Sequence, residues 1–350
     1  MFQIIRDANL DVTVAPTRLR SSFIYLANAV NDLSGDWTVL SIVLAPLILA
    51  ASLCLLPDAL NIQHRVAHTF ESGDLHSVSF RHLVALEQVQ VAEHPESGAA
   101  PSADPFPQWM TLILHLLLLL ILLLVMLVVM CGLVRRHSRA RAPTPLAEAI
   151  EVYKRALGIT LPFLWVSFLQ LLVIAIACVI FAIPLMILHV LLFGNLAIDA
   201  YVQIPLVVPA VLVDIVLHFS KIAMVFDGIR SWHALLHSRE LQRGRFLKVA
   251  VRILVFFAML SGYNSWASGA FLVASILLGP VVAVTGHIWV IVFVLDLLSV
   301  AVAYYTIAFF VAAGVRLYQD LVAMRQAQST IVDTSMPATA PLPPVAASAS

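Results

Sequence analysis

Long runs of apolar residues dominate the chain and are separated by shorter polar segments. Six runs carry few charges, and each is long enough for a helix to cross roughly 30 Å of hydrocarbon, which takes about 20 residues. They cover residues 37–56, 109–134, 159–193, 204–226, 247–263 and 288–315. The pattern predicts an all-α, polytopic integral membrane protein with about six transmembrane helices.

The segment between the first two runs, residues 57–108, has a different composition from its surroundings. It holds seven acidic residues, two basic residues and five histidines. These features predict an acidic, histidine-containing insert outside the membrane. Polar and apolar residues alternate in residues 78–80 and 84–91, which favours a small hairpin or edge strands.

Three other segments lie outside the six runs. Residues 1–36 predict either a short amphipathic helix on the membrane surface or a solvated lead. Residues 264–286 contain several small residues and are expected to be re-entrant, interfacial or the continuation of a broken helix. Residues 327–350 are rich in Ala, Ser, Thr and Pro, which predicts a disordered tail.

Lysine and arginine counts predict the orientation, because basic loops stay on the cytoplasmic side. Residues 135–155, within the basic loop 135–158, hold six basic residues, and residues 230–252 hold another six. Residues 194–203 and 264–286 hold none. This alternation places both termini in the cytoplasm and the insert outside, in the periplasm of a cell with two membranes. The expected location is the bacterial inner membrane.

The overall composition narrows the class of partner. Hydrophobic residues make up 61% of the chain and charged residues 11%, against roughly 25% charged in soluble proteins. The 20 basic and 20 acidic residues cancel, so no net field attracts nucleic acid, and no nucleic-acid role is expected. Lipids and other membrane or periplasmic proteins are the expected partners.

The fourth and sixth apolar runs together contain four charged or histidine residues. Asp214, His218 and Lys221 are spaced i, i+4 and i+7 and therefore share one face of the fourth helix, while Asp296 lies in the middle of the sixth. Charges at that depth are costly unless they are paired or hydrated. The pattern permits a proton or cation relay, and it favours an internal ladder that holds helices in register.

Metal and cofactor signals are weak in this sequence. His64 and His68 form an i, i+4 pair that could present two imidazoles to a metal, but no ordered ligand set follows them. The sequence contains no Gly-rich phosphate loop, His-Glu-x-x-His or Gly-x-Ser-x-Gly motif. No metal and no cofactor are predicted, and a non-enzymatic role is favoured.

Residues 227–246, here called the elbow segment, connect the fourth and fifth runs. Ser231 is expected to cap a short helix whose Trp232 and Leu235 face the lipid, and Gly244 is expected to let the chain turn. Four basic residues fall where anionic headgroups would lie, each worth on the order of 1 kcal/mol near the surface. They are Arg243, Arg245, Lys248 and Arg252.

The elbow segment also carries a recognisable motif. Its residues are Asp227-Gly228, Ala234-Leu235, Ser238, Leu241, Gly244 and Phe246. With the ending Leu317-Tyr-Gln-Asp-Leu321, the motif resembles that of bacterial and archaeal membrane proteins related to the membrane domain of glycerophosphoryl diester phosphodiesterase. The resemblance covers residues 145–325 and implies a six-helix membrane fold. The soluble catalytic barrel of some relatives is absent from this sequence, so their activity is not implied.

Two functions are compatible with these features. The first is a non-enzymatic membrane subunit that assembles with other envelope proteins through residues 57–108 and the elbow segment. The alternative is a transporter or lipid-handling permease that uses the four intramembrane polar residues.

Overall fold

The computed structural model describes residues 19–71, 108–137, 142–193, 200–285 and 288–335, and all regular structure within these ranges is helical. Nine helices are described, numbered α1 to α9 in chain order. They are Ser22–Ser34, Trp37–Glu71, Gln108–His137, Pro145–Phe193, Ala200–Leu217, Ser220–Asp227, Trp232–Gln242, Phe246–Thr285 and Ile288–Ser335. The strands predicted near residues 78–91 lie outside the described residues.

Six stretches within these helices are long and apolar enough to cross a membrane, which confirms the predicted all-helical, multi-pass class. They are Trp37–Pro57, Leu112–Arg136, Pro145–Pro184, Val207–Asp227, Phe246–Ala267 and Val290–Gln328. Many of their large apolar side chains point outward: Leu161 is 79% exposed and Leu112 is 62% exposed. A surface of this kind is stable against lipid tails and unfavourable in water.

Several helices continue beyond the apolar runs. Helix α2 extends to Glu71, although the run ends at residue 56, and Pro46 and Pro57 lie inside it. Helix α4 begins at Pro145, inside the basic loop 135–158, and continues through the third run. Helix α8 continues through residues 264–285 without interruption. Hydropathy marks the part of a helix that suits lipid, and it does not mark where the backbone hydrogen bonding stops.

The chain divides into two compact units. Unit 1 comprises Met1–Val43, Met126–Ser261 and Thr306–Ser350. Aromatic side chains fill its core, and Phe256 meets both Tyr25 and Phe310 edge-on, with ring centroids 6.4 and 6.2 Å apart. Helix α1 belongs to this core, because Tyr25, Leu26 and Ala29 are buried while Phe23 is exposed. The first polar segment thus contains a helix that packs on the protein.

Unit 2 comprises Leu44–Val125 and Gly262–Tyr305. Its buried residues include Leu44, Ala51, Val125 and Tyr304. Ser52 is also buried, and its hydroxyl donates to the Ile48 carbonyl oxygen at 2.9 Å, one turn earlier in α2. This bond satisfies the hydroxyl within its own helix, as is usual for serine in membrane helices.

Candidate functional site

The fourth predicted span is interrupted near its middle. Helix α5 ends at Leu217 and α6 begins at Ser220, with His218 and Phe219 between them. The His218 amide donates to Ile215 O at 3.3 Å, and Phe219 has φ −83° and ψ −3°. These residues, here called the helix break, contain neither proline nor glycine, so local sequence does not account for the interruption.

Two side chains of α7 hold the helix break open. Ser238 Oγ donates to Val216 O at 2.7 Å and accepts from the Phe219 amide at 3.2 Å. Gln242 Nε2 donates to Ile215 O at 2.9 Å and to Val216 O at 3.0 Å. Since backbone groups freed inside a membrane need internal partners, these four bonds make the interruption possible.

A second set of polar side chains connects the residues that flank the helix break. Gln170 of α4 donates to Asp214 Oδ1 at 2.6 Å, and Ser220 Oγ donates to Gln170 Oε1 at 3.4 Å. Gln170 and Ser220 are buried, while Asp214 is half-buried. Gln170 thus links the end of α5 to the start of α6, a role that its position in an uninterrupted apolar run did not indicate.

The other predicted intramembrane residues have different surroundings. His218 lies edge-on to Phe219 and Phe310, with ring centroids 5.4 and 5.5 Å away. Lys221 is half-buried, and its charge interacts with that of Asp214. Asp296 is half-buried in unit 2, so its joint action with Asp214 stays a prediction.

The elbow segment contains three residues with positive φ. Gly228 follows α6 with φ +71°, and Gly244 follows α7 with φ +77°. Glycine adopts this left-handed conformation at low cost. Ser231 also has φ +56°, which is unfavourable for a residue with a Cβ atom. Ser231 is the N-cap residue of α7, as predicted, but its side chain makes no capping hydrogen bond.

Helix α7 buries one face and exposes the other. Leu241 is 5% exposed and Phe246 is half-buried. Leu235 is only 2% exposed, so the prediction that it faces lipid is wrong: it lies on the same face as Ala234 and Ser238. The opposite face carries an outer stripe of exposed side chains at helical spacing. This stripe consists of Trp232, Leu236 and Arg239 and is continued by Arg243, the C-cap residue that follows the helix.

A tyrosine of α9 anchors the start of the elbow segment. The Tyr318 hydroxyl donates to Asp227 Oδ2 and lies 3.4 Å from His237 Nε2. His237 Nε2 is 4.0 Å from Asp227 Oδ2. These three side chains tie α6, α7 and α9 together. Asp227 belongs to the elbow motif and Tyr318 to the ending Leu317–Leu321, and the two side chains make direct contact in the folded chain.

One of the predicted headgroup ligands is used inside the protein. Arg252 donates through Nε to Arg20 O at 2.8 Å, through Nη2 to Leu19 O at 3.0 Å and through Nη1 to Lys248 O at 2.6 Å. The prediction that Arg252 binds lipid headgroups is therefore corrected: its guanidinium binds backbone carbonyls of the protein. Lys248 is exposed and Arg245 half-exposed.

Sequence reasoning missed the polar contacts that fix α1. Arg316 forms a two-pronged ion pair with Asp32, with both N–O distances 2.6 Å. The Tyr25 hydroxyl donates to Asp320 Oδ2 at 2.8 Å. Burial raises the pKa of Tyr25, and the hydrogen bond to Asp320 and its charge raise it further. The partners are nearly 300 residues apart, and no short-range pattern connects them.

The described part of the chain contains no group of three His, Cys, Asp or Glu side chains placed to hold a metal ion. His64 and His68 lie on α2, and their side chains are outside the described structure.

The chain is therefore all-helical across its described ranges, has six helices suited to cross a membrane, and has a break in the fourth held by side chains. No family model, curated protein or solved structure matches it. The resemblance to the phosphodiesterase membrane-domain group stays a prediction from the elbow motif.

Proposed function

We propose that the chain is a non-enzymatic subunit of a membrane-protein assembly in the cytoplasmic membrane of a bacterium. Both termini lie in the cytoplasm, and residues 57–108 lie outside it. Residues 57–108 and the elbow segment are the contact surfaces for other membrane or periplasmic proteins. The distribution of basic residues supports this orientation.

The main support is that the polar side chains at the helix break bond to one another and to the backbone. Asp214 accepts from Gln170, and Ser238 and Gln242 donate to carbonyls of α5. A reacting or transporting group needs contact with its substrate, whereas these groups are engaged in holding helices together. This arrangement favours the internal ladder over the proton relay.

The outer stripe of α7 supports a contact role for the elbow segment. Trp232 is 50% exposed and Leu236 is 39% exposed, with Arg239 and Arg243 on the same face. Tryptophan and arginine are the residues most enriched among the energetically dominant positions of protein interfaces. Arg243 and Lys248 also suit anionic headgroups at the cytoplasmic surface.

Site-specific photo-crosslinking tests this proposal in intact cells. A photoreactive amino acid at position 236 or 239 should give a discrete protein adduct. The same amino acid at position 161, where Leu161 is 79% exposed on α4, is the lipid-facing control and should give lipid adducts only. Native mass spectrometry of the protein in mild detergent should show an assembly larger than one chain. A monomer with lipid adducts at all three positions would refute the proposal.

A transporter or lipid-handling permease is the second candidate. The observation in its favour is that Asp214 and Lys221, both half-buried, lie beside an interrupted span. Interrupted spans of this kind form substrate sites in many transporters. Asp214→Asn or Asp296→Asn that abolished flux in proteoliposomes while leaving assembly intact would favour this function. Loss of assembly without a measurable flux in the parent protein would favour the first.

A further inference from the structure

A cavity of about 240 Å³ lies within unit 1, among α1, α2, α3 and α4. Apolar side chains form most of its wall. They include Val39, Leu40, Val43, Val128, Val129 and Leu133. The cavity equals about eight water volumes of roughly 30 Å³ each. An apolar space of this size does not hold ordered water well, because each water needs two to four polar partners.

The polar lining residues lie at one end of the cavity. At the start of α2 the lining runs from Asp36, the residue before the helix, to Val43, and along α3 it runs from Arg136 back to Val128. Seven residues of helix correspond to roughly 10 Å. Both helices therefore lead from a charged mouth to an apolar interior. The mouth lies where the candidate spans of α2, α3 and α4 begin or end, at Trp37, Arg136 and Pro145.

The carboxylates at the mouth already have partners. Asp32 is bound by Arg316 through two bonds of 2.6 Å. Glu148 accepts from Arg135 and, at 2.8 Å, from the Ala142 amide. Asp36 Oδ2 lies 3.4 Å from Arg136 Nε. Their charges are thus balanced by basic side chains, and a further cation is not required.

Arg136 differs from these carboxylates. Its Nη2 donates to Asn31 O at 3.4 Å, but its Nη1 is buried and has no hydrogen-bond partner among the described atoms. Gly35 makes room for the guanidinium, because a Cβ atom there would lie 2.6 Å from Arg136 Nη2. A buried N–H group without an acceptor is unfavourable, and more so when it is charged. An acceptor oxygen from a ligand would remove that cost.

We infer that this interfacial cavity binds a membrane phospholipid. The Arg136 side chain is 24% exposed, and a phosphate oxygen accepts a hydrogen bond from its guanidinium. Part of an acyl chain lies along the valines and leucines of α2 and α3. Arginine and phosphate form a strong, charge-assisted pair. The apolar wall gives the acyl chain the burial that favours it over water. This site is separate from the elbow segment and from the helix break.

Gly132 offers a test that leaves Arg136 intact. It lines the cavity, and a Cβ atom there would meet nothing within 4 Å. Gly132→Leu should therefore fill the cavity without a clash. Gly158→Leu is the matched control, because a Cβ at Gly158 also meets open space and Gly158 is not among the cavity-lining residues. Both changes replace a helical glycine, so both should affect helix propensity similarly.

The experiment is native mass spectrometry of the full chain after stepwise delipidation, followed by titration with phosphatidylglycerol and with diacylglycerol in detergent. The parent protein and Gly158→Leu should retain one phospholipid, and Gly132→Leu should bind phosphatidylglycerol about tenfold more weakly or worse. Arg136→Gln should reduce the preference for phosphatidylglycerol over diacylglycerol. If Gly132→Leu and Gly158→Leu retained the phospholipid equally well, the proposed binding site would be wrong. Equal binding of the two lipids by the parent protein would overturn the phosphate contact.

Discussion

The bonds from Ser238 and Gln242 to the helix break predict a specific energetic coupling. In Ser238→Ala, Val216 O keeps its bond from Gln242 Nε2, but the buried Phe219 amide loses its acceptor. One orphaned buried donor costs about 1–3 kcal/mol. We therefore expect this single substitution to lower the free energy of unfolding by that amount.

Gln242→Leu should cost less. Ile215 O keeps a bond from the His218 amide at 3.3 Å, and Val216 O keeps its bond from Ser238. The substitution also removes Gln242 Oε1, a buried oxygen without a partner in the described structure. Neither carbonyl is left without a donor, so the expected cost is about 0.5–1.5 kcal/mol.

The double variant should lose more free energy of unfolding than the two single variants lose together. Val216 O loses both side-chain donors only when Ser238 and Gln242 are replaced together. The expected coupling is about 1–2 kcal/mol, near the upper end of values measured for side-chain bonds in membrane proteins. Equilibrium unfolding in mixed micelles with increasing SDS, followed by far-UV circular dichroism, measures all four free energies.

Ser231→Ala provides the control for this cycle. It is the same exchange in the same segment, at an exposed side chain that makes no capping bond, and it should change stability by less than about 0.5 kcal/mol. If the double variant equalled the sum of the singles within about 0.5 kcal/mol, Val216 O would not share two donors. Side-chain bonding from α7 would then be refuted as the cause of the helix break.

Three further substitutions test other contacts in unit 1. Arg316→Met should lower the free energy of unfolding by about 3–5 kcal/mol, because it leaves the Asp32 carboxylate buried without its partner. When Asp32→Leu is added, SDS unfolding should show that much of this free energy is recovered. Ser231→Gly should stabilise the protein by about 1 kcal/mol, because glycine adopts the φ of +56° without strain. A lower midpoint of SDS unfolding would contradict this prediction. Tyr25 stays neutral above pH 10 in the folded state while it ionises in the unfolded chain, so its contribution to stability falls as pH rises past that value. Tyr25→Phe should therefore flatten the decline in the free energy of unfolding between about pH 9 and 11. An unchanged slope would count against the contact with Asp320.

Hydropathy was sufficient to predict the six spans, because each reflects a local requirement for about 20 apolar residues. The helix break was not predictable by the same means. Its cause is a set of bonds from Ser238 and Gln242, more than 20 residues further along the chain, to carbonyls of α5. Hydropathy placed Asp214 in the fourth span, yet it gave no sign that Gln170 would be its partner.

The docking of α1 shows the same limit over a longer distance. Amphipathic spacing in residues 1–36 allowed a short helix on the membrane surface or a solvated lead, and the structure has helix α1 at Ser22–Ser34. Its attachment depends on Asp32 and Tyr25 meeting Arg316 and Asp320 near the other end of the chain. A single sequence contains no signal for pairing at that separation. Leu235 was misassigned for a related reason, since its burial depends on which face of α7 packs inward.

The helix break also constrains the order in which the chain is assembled. During synthesis, residues 200–227 leave the ribosome before Ser238 and Gln242 do, so the carbonyls of Ile215 and Val216 cannot yet receive their side-chain bonds. An uninterrupted helix is then the only way to satisfy that backbone in lipid. The fourth span must therefore enter the bilayer as one continuous helix and divide later, when α7 folds back against it. Insertion and final folding of this span are consequently separate events.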